Sequence, residues 1–134
     1  MESSKLRKII VEGDAETLIS EARVLGEQLV KHKLTTSQIR NIFGTVRRIE
    51  MNWPVSPKTD QEDRERIRKA QRELLLLKPK MAYQAKRIRR KGVQMLTDVL
   101  SEAIDFVDGD RERFQNFVDF FEAILAYHKA YGGN

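Results

Sequence analysis

The sequence predicts an all-α fold, a single-domain bundle of about five helices over residues 1–134 with an aromatic-rich C-terminal helix at its centre. Three observations predict it. Apolar residues recur at the helical period in five places, and the alternation of a half-buried strand is nearly absent. Helix breakers are scarce, with three Pro and seven Gly in 134 residues. Capping signals stand where the periodic segments begin. At 40% hydrophobic content and this length, the chain can bury a core without disulfide or metal staples.

Taken in order, the first helix starts after Gly13-Asp14 with Asp14 as N-cap, and Leu18, Ala22, Leu25 and Leu29 form its stripe. Lys31-His32-Lys33 places positive charge in its last turn, where the helix dipole favours it. The second helix opens on a capping box, Thr35 with Gln38, and carries Ile39, Ile42, Phe43, Val46 and Ile49. It ends by Asn52-Trp53-Pro54, because the residue before proline is pushed out of the α region. Residues 53–59 read as a loop. The third helix runs from about Asp60 to Leu77 on Ile67, Ala70, Leu74 and Leu77, and its four-leucine end is expected to be covered on several sides. Pro79 is expected to kink or restart it, with the pattern resuming through Met81, Tyr83 and Ile88 and breaking at Gly92. A fourth helix covers Val93 to Val107 on Leu96, Leu100, Ala103 and Val107, and Asp108-Gly109-Asp110 is a turn. The fifth runs from about Asp110 to Tyr131 and holds four of the six phenylalanines; apolar around most of its circumference, it is the central helix.

Groups that carry chemistry are sparse. Without cysteine, thiolate metal sites, thiol nucleophiles and disulfides are excluded. His32 and His128 lie on different helices and neither has a second ligand at helical spacing, so His128 reads as a partly buried hydrogen-bonding residue. Asp108-Gly109-Asp110 lacks the rest of a calcium loop. Glu62, Asp63 and Glu65 alternate with Arg64, Arg66, Arg68 and Lys69, the pattern of a solvated salt-bridged face. No glycine-rich phosphate loop is present. The expectation is a non-enzyme with no cofactor and no metal. No apolar run approaches the roughly 18 residues of a bilayer span, and Ile9-Ile10-Val11 is too short for a signal peptide. A soluble, cytoplasmic protein is expected.

The charge distribution points to a partner. The net charge of +5 divides into +3 over residues 1–77, +7 over residues 78–91 and −5 over residues 92–134. The middle segment holds Lys78, Lys80, Lys86, Arg87, Arg89, Arg90 and Lys91 with no acid among them, so it cannot neutralise itself. Phosphates or an acidic patch are its natural complements. A second surface emerges from a helical wheel at about 100° per residue from Ile39. The apolar stripe centres near ~340°, while Arg40 and Arg47 fall near ~100° and ~80°, Gly44 near ~140° and Arg48 near ~180°. Arginine offers a planar fork matched to phosphate, and Gly44 leaves room for close approach. A merely solvated basic face accounts for the second-helix arginines equally simply, whereas mixed charge, which would support that reading for residues 78–91, is absent there. Trp53 and Tyr83 are candidates to stack on bases, although core packing is the commoner fate of lone aromatics.

Three stretches carry a family resemblance: LTTSQIRNIFGTVRR from Leu34 to Arg48, LLLLKPKMAYQA from Leu74 to Ala85, and the end of the segment from Phe114 to Gly133, FFEAILAYHKAYGG. Through them the chain resembles the small subunit of type III-A CRISPR interference complexes, the Csm effectors. The resemblance implies an all-helical, non-catalytic subunit of a prokaryotic antiviral ribonucleoprotein. Several copies would stack as a minor filament beside the filament that holds the guide RNA. They would contact guide and target RNA through the sugar–phosphate chain without reading sequence, while cleavage and signalling belong to other subunits. Read onto this sequence, it nominates Arg40, Arg47, Arg48, Lys78 and Lys80, with Lys86 and Arg87 at the basic end, as RNA-binding residues. The family often ends this region in glycine–arginine after the AY motif. Here Gln84-Ala85-Lys86-Arg87 stands instead, with Arg89 to Lys91 as extra basic residues.

Two rivals remain open at the level of sequence. In one, the protein is purely an interaction module whose +7 segment docks on the −5 end of another copy, a head-to-tail contact that propagates as a filament. In the other, it is the analogous type III-B small subunit, whose motifs fit less well.

Overall fold

The structure, a computed structural model, describes residues 1–54 and 61–134. Six helices and no strand occur among them: α1 Ser3–Ile10, α2 Ala15–Lys31, α3 Thr36–Asn52, α4 Gln61–Ile88, α5 Lys91–Val107 and α6 Arg111–Ala130. The all-α class is as expected. Residues 55–60, which include most of the expected loop and the expected start of the third helix at Asp60, lie outside the described residues.

The core is organised by α6. Phe114, Phe117, Val118, Phe120, Phe121 and Ile124 are fully buried, and the helix touches α1, α2, α3 and α5. Asp110 starts it, accepting the Arg113 N–H at 2.9 Å through Oδ1. The Asp108-Gly109-Asp110 turn supplies the reversal, with Asp108 (φ 47°) and Gly109 (φ 73°) both left-handed. The stripes read for α2, α3 and α5 face this core, and the Thr35–Gln38 capping box opens α3 with both of its hydrogen bonds formed.

Glycines decide how closely two of these helices approach. A methyl group on Gly26 of α2 would lie 2.8 Å from Tyr127 Cβ and 3.0 Å from the His128 nitrogen on α6. A methyl group on Gly44 of α3 would meet nothing. Both glycines are helical, so alanine gains about 1 kcal/mol of propensity at either site. At Gly26 the overlap forces α2 off α6, at a cost of about 1–3 kcal/mol. Gly44→Ala should therefore raise the urea midpoint and Gly26→Ala lower it. Equal midpoints for the two variants would contradict this packing.

The structure corrects four expectations. The first is a helix that periodicity passed over: α1 is only 8 residues long, too short to show a repeat, yet Leu6, Ile9 and Ile10 are fully buried against α5, α6 and α2. Lys5 ties it to α2 through Glu21 at 3.1 Å, and that hydrogen-bonded carboxylate raises the lysine pKa. Second, Pro79 does not restart a helix; α4 runs through it. Pro79 and Leu75 are both exposed, so the turn that loses the hydrogen bond to the Leu75 carbonyl lies on the outer side of the helix. Leu74, Leu77, Met81 and Ala85 hold both halves on the core from the other side. Third, the four-leucine run is covered on one side only, with Leu75 and Leu76 exposed. Fourth, the break falls at Arg89 (φ 55°) and the extended Arg90, before Gly92. Gly92 instead sits buried in the first turn of α5, where a methyl group would lie 3.2 Å from Leu34 Cβ and 3.3 Å from the His32 carbonyl.

Candidate nucleic-acid interface

α3 and α4 are antiparallel neighbours: Asn52 lies by Ala70 and Glu73, Asn41 and Thr45 by Leu77 and Gln84, and Leu34 and Gln38 by Gln84 and Ile88. The C-terminal tail positions the start of α3. His128 on α6 is fully buried, more so than expected, and its Nε2 lies 2.6 Å from the Leu34 carbonyl. Gly133 packs directly against its imidazole ring. The Thr36 N–H, at the first turn of α3, donates to the Asn134 carbonyl. The arginine-bearing helix is thus registered against α6 at its N-terminus. Near its centre, Phe43 meets Phe121 edge-on with centroids 5.0 Å apart.

This packing separates the three arginines. Arg48 shares a helix line with Asn41 and Thr45, on the side that faces α4. Arg40 and Arg47 lie on the opposite edge, beside Phe43. All three are exposed. Arg47, however, is engaged: its guanidinium lies 2.8 Å from Glu50 Oε1 and 5.5 Å from the centre of the Phe43 ring.

The basic segment is likewise divided by the helix it sits on. Lys80 and Arg87 project from the side of α4 that faces α3, with Tyr83 between them. Lys86 points outward beside Pro79. Lys78 turns the other way and ends 2.5 Å from Asp105 Oδ1 on α5. Arg89, Arg90 and Lys91 form the exposed corner between α4 and α5. Among the described residues Arg40, Arg48, Lys80, Lys86 and Arg87 have no carboxylate partner.

Of the two aromatics weighed as base-stacking groups, Trp53 is core. It is 2% exposed and stacks on Phe114, with centroids 4.6 Å apart and planes at 14°. Tyr83 is 66% exposed. The sequence reading missed Asn41, Thr45 and Gln84, whose side chains line a cleft between the two helices and have no hydrogen-bond partner among the described residues. Nothing in a single sequence separates such amides from ordinary surface polar residues.

Among the described residues no helix is long and apolar enough to cross a membrane, and no group of three or more His, Asp or Glu side chains is placed to share a metal ion. The surface is a rigid helix pair presenting unpaired cations, an aromatic ring and neutral hydrogen-bonding groups. No curated protein and no solved structure matches the chain. The family model described as Csm2 Type III-A matches residues 12–134, which is all of the fold from α2 onward. The chain belongs to the Csm2 Type III-A family, the small subunits of the Csm effector complexes.

Proposed function

We propose that this protein is a non-catalytic, RNA-binding structural subunit of its type III-A effector complex. It acts in the prokaryotic cytoplasm in antiviral defence, stacks with further copies of itself as a minor filament, and contacts guide and target RNA through their sugar–phosphate chains. The observation that carries this reading is the positive surface of the α3–α4 pair, along which Arg48, Lys80 and Arg87 are exposed, with no carboxylate partner among the described residues and no acid in residues 78–91. Helix electrostatics sharpen it. Lys86 and Arg87 close the C-terminal end of α4, where a helix dipole welcomes cations. Arg90 and Lys91 stand instead at the N-terminal end of α5, whose first turn has no acidic residue. Cations there oppose the dipole and raise the positive potential, which favours an anionic partner.

Contacts of this kind bind any sequence. Arg40→Glu, Arg47→Glu and Arg48→Glu together should weaken target RNA binding by the assembled complex at least tenfold, from ~1.5–3 kcal/mol per charged hydrogen bond lost. Arg47 is expected to add least, being held by Glu50. Unchanged affinity with full incorporation of the subunit would remove α3 from the interface.

The assembly reading has one specific observation in its favour: within the chain, the basic segment does meet the acidic C-terminal region, through Lys78 and Asp105. Measuring subunit incorporation on the same variants separates the two. Lost stacking with retained RNA contacts selects assembly alone.

A further inference from the structure

The cleft between α3 and α4 has a volume of about 230 Å³. Its floor is apolar, formed by half-buried Ile42 with buried Leu77 and Met81. Its walls carry the side-chain amides of Asn41 and Gln84 and the Thr45 hydroxyl. Lys80 and the exposed ring of Tyr83 stand at the rim. The volume is below the ~300–1,000 Å³ of sites for whole drug-sized ligands. An apolar floor beneath neutral donors and acceptors suits a planar heterocycle, whose faces need contact and whose edges need hydrogen bonds. A phosphate would find no charge at the bottom of the cleft and would be served by the rim. An aliphatic or aromatic side chain from another protein would leave the amides unsatisfied.

We propose that the cleft receives one unpaired base of the RNA whose phosphates run along the α3–α4 surface past Lys80 at the rim. The base stacks on Tyr83, and Asn41 and Gln84 hydrogen-bond its edge. Because an amide offers both donor and acceptor, it serves either complement, and no base identity is required. This assignment rests on the RNA-binding reading and adds a base contact to a surface otherwise described by charge.

The test compares a single-stranded RNA oligonucleotide with an abasic ribose–phosphate strand of equal length, binding the full-length protein at fixed low salt by fluorescence anisotropy. The wild type should prefer the base-bearing strand by about 5- to 150-fold, the range that stacking of ~1–3 kcal/mol per base corresponds to. Tyr83→Ala and the double variant Asn41→Ala/Gln84→Ala should each lower that preference, leaving abasic affinity unchanged. Tyr83→Phe should keep it, since stacking needs only the ring. Tyr83 is largely exposed, so its replacement does not endanger the fold. Equal affinity of the wild type for both strands would overturn the base contact while leaving backbone binding intact. Failure to bind either strand, or binding of both that Arg48→Glu and Lys80→Glu leave unchanged, would instead overturn the RNA reading itself. Crosslinking of the cleft to another protein chain in the assembled complex would also overturn the base contact.

Discussion

Replacing Phe114 by alanine should cost about 3–5 kcal/mol of stability, the range for deleting a buried phenylalanine from a packed core. The side chain is fully buried where the end of α3 meets the start of α6. It stacks on Trp53 at 4.6 Å and on Phe117 at 6.2 Å, and the Arg111 guanidinium lies 5.7 Å from its ring centre. Aromatic pairs contribute ~0.5–1.5 kcal/mol beyond their buried area, which places the loss in the upper part of that range. Domains of this size are stable by only about 5–15 kcal/mol, so a large share of the total is at stake. Urea denaturation followed by circular dichroism measures the loss. Trp53 is the chain's single tryptophan and packs on the ring removed. Its emission should therefore shift to the red in the folded variant. Tyr83→Ala, at 66% exposure, should move the midpoint by no more than ~0.5 kcal/mol. A Phe114→Ala loss below about 1 kcal/mol would mean that the α3–α6 junction is not packed as described.

That junction shows what a sequence carries and what it withholds. Periodicity exposed the stripes on α2, α3, α5 and α6 because each exceeds four turns. It passed over α1, whose three buried side chains have helical spacing (i, i+3, i+4) but over only two turns, too short a window to stand out. Of the two outcomes that local rules allow at Pro79, a kink or a restart, the restart is excluded because α4 runs through it, held on the core by residues on both sides of the proline. For the site, composition identified the cations but not their bonds. Arg47 and Arg48 are adjacent in sequence, yet one is held by Glu50 and the other has no carboxylate partner among the described residues. The Lys78–Asp105 pair joins residues 27 apart, on two helices whose packing is a tertiary fact. The cleft needed both helices in place before Asn41, Thr45 and Gln84 became neighbours of Tyr83.

RNA affinity should fall about a hundredfold between 50 and 200 mM salt, with binding to single-stranded RNA following a slope of about −0.7 per phosphate neutralised. Five of the seven candidate cations, Arg40, Arg48, Lys80, Lys86 and Arg87, are exposed and have no carboxylate partner among the described residues. If each neutralises one phosphate, the slope is about −3.5. Reversing Arg48, Lys80 and Arg87 to glutamate should reduce it to about −1.4 or less, together with a loss of affinity at the lowest salt. The ion pairs make a prediction of opposite sign. Asp105→Asn releases Lys78, which now lies 2.5 Å from that carboxylate. Its ammonium then becomes available to the polyanion, and one repulsive acid is gone. Affinity should rise and the slope should steepen by up to about 0.7. Glu50→Gln should act similarly through Arg47, on the other edge of α3. Asp105 is exposed, so its replacement leaves the core intact. An interface built on assembly alone has no reason to show a graded response of slope to single charges. An Asp105→Asn slope no steeper than wild type would take Lys78 out of the RNA contact, and a flat salt dependence in the wild type would take out the whole basic segment. Its charge would then be assigned to the acidic C-terminal helices of a neighbouring copy.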